Sequence, residues 1–273
     1  MKRIAMIVIA AMSLATLASC GDENYDQFEV RMGGMKNSDD SKAYFGSERI
    51  FYFDDGDQVK MNNRTITLQR DGSLDGDGTD VWVGIPNSAV SAIGGLYYCM
   101  FNTGSGGSWV NSSRTFRNLQ FIQRDGKASL VLGSTTSTNV LTLWPSCAML
   151  TFSPTYRNDI QVYFKVEDGH IPTTGDFNPV DRSVSNYTEF DYYTNSTGSP
   201  LGSSGGEAGF IKATADNASF NYVLIPMTGN SITTKIIIRY TQVSVDSAGR
   251  ETTTYLYRES NSVTLSKGYR YSI

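Results

Sequence analysis

The stretch Ile232-Thr233-Thr234-Lys235-Ile236-Ile237-Ile238-Arg239-Tyr240-Thr241-Gln242-Val243-Ser244-Val245 decides the fold. Counting by twos puts Ile232, Ile236, Ile238 and Tyr240 on one face, the period of a strand with one side in a core. Ser247-Ala248-Gly249-Arg250 supplies a turn and Thr252–Arg258 a return strand, so the segment reads as a β-hairpin. Just upstream, Phe220-Asn221-Tyr222-Val223-Leu224-Ile225-Pro226 is a strand stopped by proline. Downstream, Val263-Thr264-Leu265 and Lys267-Gly268 lead into Tyr269-Arg270-Tyr271-Ser272-Ile273. With Tyr269, Tyr271 and Ile273 inward, that last strand is expected to be tied into a sheet.

The same alternation recurs along the chain. Phe28-Glu29-Val30-Arg31-Met32 is a first strand before Gly33-Gly34, and Arg49–Phe53 a second. Val59–Met61 and Thr65–Gln69 flank Asn62-Asn63, a pair that tolerates the positive φ of a tight hairpin. Further strands fall at 81–85, 95–101, 115–124, 128–132, 139–143, 148–152 and 160–166, with a Gly/Ser/Asn loop at 102–113 that carries Trp109. Residues 167–207 are turn-rich, and 197–206 read as a disordered, solvated loop. Beyond the leader there is no apolar stripe of helical period. With 16 Tyr, 13 Phe and 26 Gly, the chain is expected to be all-β.

The leader itself is specific. Met1-Lys2-Arg3, the uncharged stretch 4–15 and Leu17-Ala18-Ser19-Cys20-Gly21 form a secretory signal, too short for a membrane span of about 18 or more apolar residues. Leu-Ala-Ser-Cys resembles the bacterial lipobox, which implies lipidation of Cys20 after removal of residues 1–19. Residues 20–27 form an acidic tether, and Asp22, Glu23 and Asp26 resemble the surface-export signals of Bacteroidota lipoproteins. The lipid would be the sole membrane attachment, holding the protein at the outer membrane and facing outward. The net charge of −4 argues against nucleic acid or anionic lipid as partner.

Little in the sequence suggests catalysis. The one histidine, His170, lies in a loop with no second metal ligand at a usable spacing and no nucleophile elbow, so it reads as a plain loop residue. The acidic loop Asp71–Asp80 fails the calcium-loop register, because glycine follows Asp75 directly and no distal Glu closes it. No metal site, no cofactor and no enzymatic activity is expected. Cys99 and Cys147 lie in apolar stretches of an exported chain, which leaves two readings: a disulfide bridge or two buried free thiols.

The segments Tyr222–Pro226, Ile236–Tyr240 and Val263–Ile273 resemble the closing part of the fimbrillin-like surface lipoproteins of Bacteroidota. Phe53-x-x-Gly56-Asp57-x-Val59 is similar to an element that opens the first domain of that family, and Leu143–Leu150 to the segment that opens the second. The resemblance implies two transthyretin-like, Greek-key β-sandwich domains in tandem, here residues 28–148 and 149–273. It implies a fimbrial subunit, anchor or accessory adhesin, bound to other fimbrial subunits by strand exchange after a protease cuts behind an arginine. Arg31 and Arg49 are the candidate cut sites. That reading turns on whether the first strand lies beside the C-terminal one in a removable groove. Adhesion implies a host or bacterial surface ligand. The alternative is a glycan-binding surface lipoprotein of a polysaccharide-uptake system, with Trp109 on its loop and Trp82 and Trp144 in the core.

Overall fold

The computed structural model describes residues 27–33, 36–37, 53–74, 80–152, 160–192, 209–215 and 221–272. Among them the protein is all-β, without a helix. In chain order the strands are β1 (Phe28–Met32), β2 (Lys36–Asn37), β3 (Gln58–Met61), β4 (Arg64–Leu74), β5 (Asp80–Pro86), β6 (Tyr97–Asn102) and β7 (Ser108–Val110). They continue as β8 (Thr115–Gln120), β9 (Val131–Thr136), β10 (Val140–Pro145), β11 (Cys147–Phe152), β12 (Gln161–Asp168), β13 (Pro172–Phe177) and β14 (Val184–Glu189). The last are β15 (Ile211–Lys212), β16 (Thr214–Ala215), β17 (Asn221–Pro226), β18 (Ser231–Val245), β19 (Glu251–Glu259), β20 (Val263–Ser266) and β21 (Tyr269–Ser272).

The early strands close on themselves in the order β1-β10-β9-β6-β3-β4-β5. Inside lie Val30, Val59, Met61, Ile66, Leu68, Cys99, Phe101, Leu132, Leu141 and Leu143, the inward members of alternating strands. The β3–β4 hairpin turns at Asn62, whose φ of 52° is the positive value the Asn-Asn pair predicts.

The chain leaves this barrel at Ser146 and enters the sheet β16-β17-β11-β21-β2. All six residues of β11 are buried. Cys147 and Met149 join the barrel core, while Ala148, Leu150 and Phe152 join a second core with Val162, Phe164, Ile232, Ile236 and Ile238 of the facing sheet β15-β12-β18-β19. A strand with a core on each side has no polar face, which explains the unbroken run Cys147-Ala148-Met149-Leu150. The expected junction between domains falls on this strand. A fourth sheet, β14-β13-β8-β7, draws strands from both sides of that junction and lies over the outside of β6 and β9, where Met100 and Val131 meet Phe116, Leu119 and Phe177. The opposite wall of the barrel, β10-β1-β5, has no such cover among the described residues; there Glu29, Arg31 and Val83 are half-buried and Val140 and Trp144 exposed.

Candidate assembly site

β1 is seated between two strands. It runs parallel to β10, with Glu29 opposite Val140 and Met32 opposite Leu143, and antiparallel to β5, with Phe28 opposite Gly84 and Val30 opposite Trp82. Phe28 and Val30 are buried, and the Phe28 ring meets Tyr97 edge to face at 5.2 Å. Each such burial is worth about 1.5–3 kcal/mol of transfer free energy. On the outer face the Arg31 guanidinium pairs with the Glu29 carboxylate two residues away. The ladder ends where the Gly33 N–H donates to the Leu143 carbonyl at 2.7 Å. Withdrawing β1 would expose two strand edges at once, and two vacated side-chain pockets.

The exit of β1 is covered by Trp144. A Cβ at Gly33 would stand 2.4–2.9 Å from three consecutive atoms of the indole six-membered ring, so the ring face lies directly on the glycine backbone. Its φ is not in the left-handed region, so close approach alone requires glycine at 33. Trp144 is 41% exposed. It was expected in the core. In β10, however, Leu141 and Leu143 take the inward positions, so period two sends Val140, Thr142 and Trp144 outward. Trp109, expected on an exposed loop, instead sits in β7 between the rings of Tyr98 and Phe116 at 5.4 and 5.0 Å. Trp82 is buried in the barrel, as its strand pattern predicts.

The structure separates the sequence-derived site residues. Arg31 lies in β1 and is partly accessible. Cys20 and Arg49 lie outside the described residues, as do 193–208 with the expected solvated loop and 75–79 of the acidic loop. Cys99 and Cys147 are both free and buried, so no bridge joins them and the packed-thiol alternative holds here. Burial pushes both thiols up, Cys147 to about 12, which leaves them un-ionised. The first strand does not lie beside the C-terminal one. The short β2 takes that place, parallel to β21, because β1 is drawn into the barrel seam by its two inward apolar residues.

One polar cluster near the β10–β11 junction has no clear signal in the sequence. The Lys267 ammonium donates to the Arg182 carbonyl at 2.7 Å, and the Arg182 guanidinium to the Pro145 carbonyl at 3.1 Å. Burial, with Arg182 nearby, lowers the Lys267 pKa to about 8. His170 Nδ1 lies 2.6 Å from the Glu189 carboxylate, a hydrogen bond that holds the Glu189 pKa down. Among the described residues no three His, Cys, Asp or Glu side chains are grouped to hold a metal ion, and no helix is long and apolar enough to cross a membrane. In comparisons with known proteins, no family model, no curated protein and no solved structure matches this chain.

Proposed function

We propose that this protein is a non-enzymatic, lipid-anchored subunit or accessory adhesin of a bacterial surface fimbria, assembled by β-strand complementation. The observation that carries the reading is the seat of β1: it does not lie beside the C-terminal strand, but its five residues, Phe28–Met32, close a barrel by pairing on both sides, so the removable strand of this reading lies in the barrel seam. A cut after Arg31 removes Phe28–Arg31 and frees the edges of β5 and β10. An extended segment of a neighbouring subunit, with apolar residues at alternate positions, replaces Phe28 and Val30 and restores the main-chain hydrogen bonds. The lipid on Cys20 holds the unprocessed form at the outer membrane. In this reading the barrel and the paired sheets beyond it are the two transthyretin-like, Greek-key sandwich domains.

The test is digestion of the full chain with an arginine-specific protease. An N-terminal fragment ending at Arg31, followed by a ladder of oligomers, is the expected result. A chain whose oligomeric state is unchanged by that cut would overturn the reading.

A second reading rests on Trp144. An indole held flat on Gly33 and still 41% exposed offers a stacking surface for a sugar ring. Strong glycan-array signals lost in Trp144→Ala would favour a glycan-binding lipoprotein instead.

A further inference from the structure

β18 is far longer than its neighbours require. Its residues up to Arg239 pair with β12, β20 or both, while Tyr240–Val245 pair only with β19 among the described residues. Among the described residues the hairpin β18–β19 thus runs on as two strands alone for about 20 Å at 3.4 Å per residue. Two strands alone are marginally stable in water. The outer side of β19 has no partner strand among the described residues, and its side chains are exposed at every position except the half-buried Leu256 and Tyr257.

Natural edge strands are protected by proline, lysine, a bulge or a covering loop. β19 has no proline and no lysine, its charged residues Glu251, Arg258 and Glu259 stand only at its two ends, and its register against β18 runs without a shift from Glu259 to Glu251. Its centre, Thr252-Thr253-Thr254-Tyr255-Leu256-Tyr257, is uncharged and made almost entirely of strand-favouring residues. The same two-strand stretch also carries Val243, Val245 and Tyr255 at 56, 62 and 49% exposure. They are three of the six large apolar side chains left exposed among the described residues.

We propose that two copies of this chain pair antiparallel along β19, about a two-fold axis through Thr254. A two-fold normal to the sheet must pass through a residue, because directly opposed side chains share a face. Three axes compete. One through Tyr255 sets Glu251 against Glu259 at both ends, a like-charge pair with both members inside β19, of which Lys165 at 3.0 Å meets only Glu259. One through Thr253 uses only five strand residues and sets Arg250 of the turn against Leu256. The axis through Thr254 aligns seven residues, Glu251–Tyr257, and sets Thr252 opposite Leu256 and Thr253 opposite Tyr255. Arg250 then faces Arg258, but Arg250 lies in the turn outside β19, where Asp246 meets its charge at 2.8 Å. The two Tyr255 rings fall diagonally across the axis, within reach of each other. The merged four-stranded ribbon covers both open edges. This inference is independent of the β1 seam, which lies in the barrel.

Sedimentation equilibrium of the full chain in density-matched detergent tests it. The molar mass of the wild type should rise from one copy to two with concentration. Thr254→Lys sets two ammonium groups against each other at the axis and should abolish the rise; Thr254→Glu should do the same with carboxylates. An equimolar mixture of the two should dimerise again, because each axis position then holds one charge of each sign. Near-UV circular dichroism unchanged in both variants excludes misfolding, since Thr254 is exposed. A wild type that stays monomeric leaves the edge to an unlike chain. Dimers that persist in Thr254→Lys place the contact elsewhere. A mixture that fails to recover moves the axis. Any of the three overturns the proposal.

Discussion

Gly33 and Trp144 are fitted to each other so closely that a methyl group at 33 has no room without moving the indole. Gly33→Ala should therefore cost about 1–3 kcal/mol, the usual penalty of overpacking, read as a lowered urea midpoint. In the Trp144→Ala background the same change should cost little, and the difference between the two measures the contact. Lys267 gives a pH-dependent counterpart. Its folded-state pKa of about 8 lies below its ordinary 10.5, so between those values the unfolded chain holds more protons than the folded one. Stability from this group must then rise with pH across that window, while below about pH 8 the penalty of burying the charge is fully present. Relative to Lys267→Met, the wild type should gain stability between pH 8 and 10.5; equal slopes for the two proteins would remove Lys267 from the account. Of these residues, Trp144 is read from the sequence as core, although the alternation Val140-Leu141-Thr142-Leu143-Trp144 sets it on the face opposite Leu141 and Leu143. The close approach at Gly33 was not legible, since it joins two strands through tertiary packing.

Among the elements, the β18–β19 and β3–β4 hairpins are written locally: alternating side chains and a turn residue with positive φ, Gly249 or Asn62, fix both strands and their register. β1 is a different case. Phe28-Glu29-Val30-Arg31-Met32 announces a strand with one buried face, yet nothing in five residues selects β5 and β10, more than 50 and 100 residues away, as its neighbours. Its burial pattern still gives a sharp expectation. Phe28→Ala should destabilise the barrel by about 3–5 kcal/mol. Val30→Asp, which places an unpaired carboxylate in the barrel core, should raise hydrogen exchange at the amides of β1, β5 and β10 and leave those of β11 and β17 slow. Uniform acceleration across both groups would mean that the seam does not open separately.

For the whole molecule, two cores share β11 as a common wall, with the barrel on one side and the β15-β12-β18-β19 sheet on the other. Composition and period were enough to make the protein all-β, but the shared wall depends on contacts between distant segments, β11 with β17 and β21. In the proposed cellular setting, Cys20→Ser should abolish incorporation of radiolabelled palmitate and release the chain from the membrane fraction; labelling that persists would remove Cys20 as the anchor.

The double pairing of β1 has a mechanical consequence. A pull on the chain at residue 27, along the strand axis, loads the ladders to β5 and β10 in shear, so their hydrogen bonds share the load instead of unzipping one by one. A donor strand in the same seat would inherit that geometry. A joint between subunits built this way should yield abruptly at high force in single-molecule pulling, with no gradual peeling beforehand.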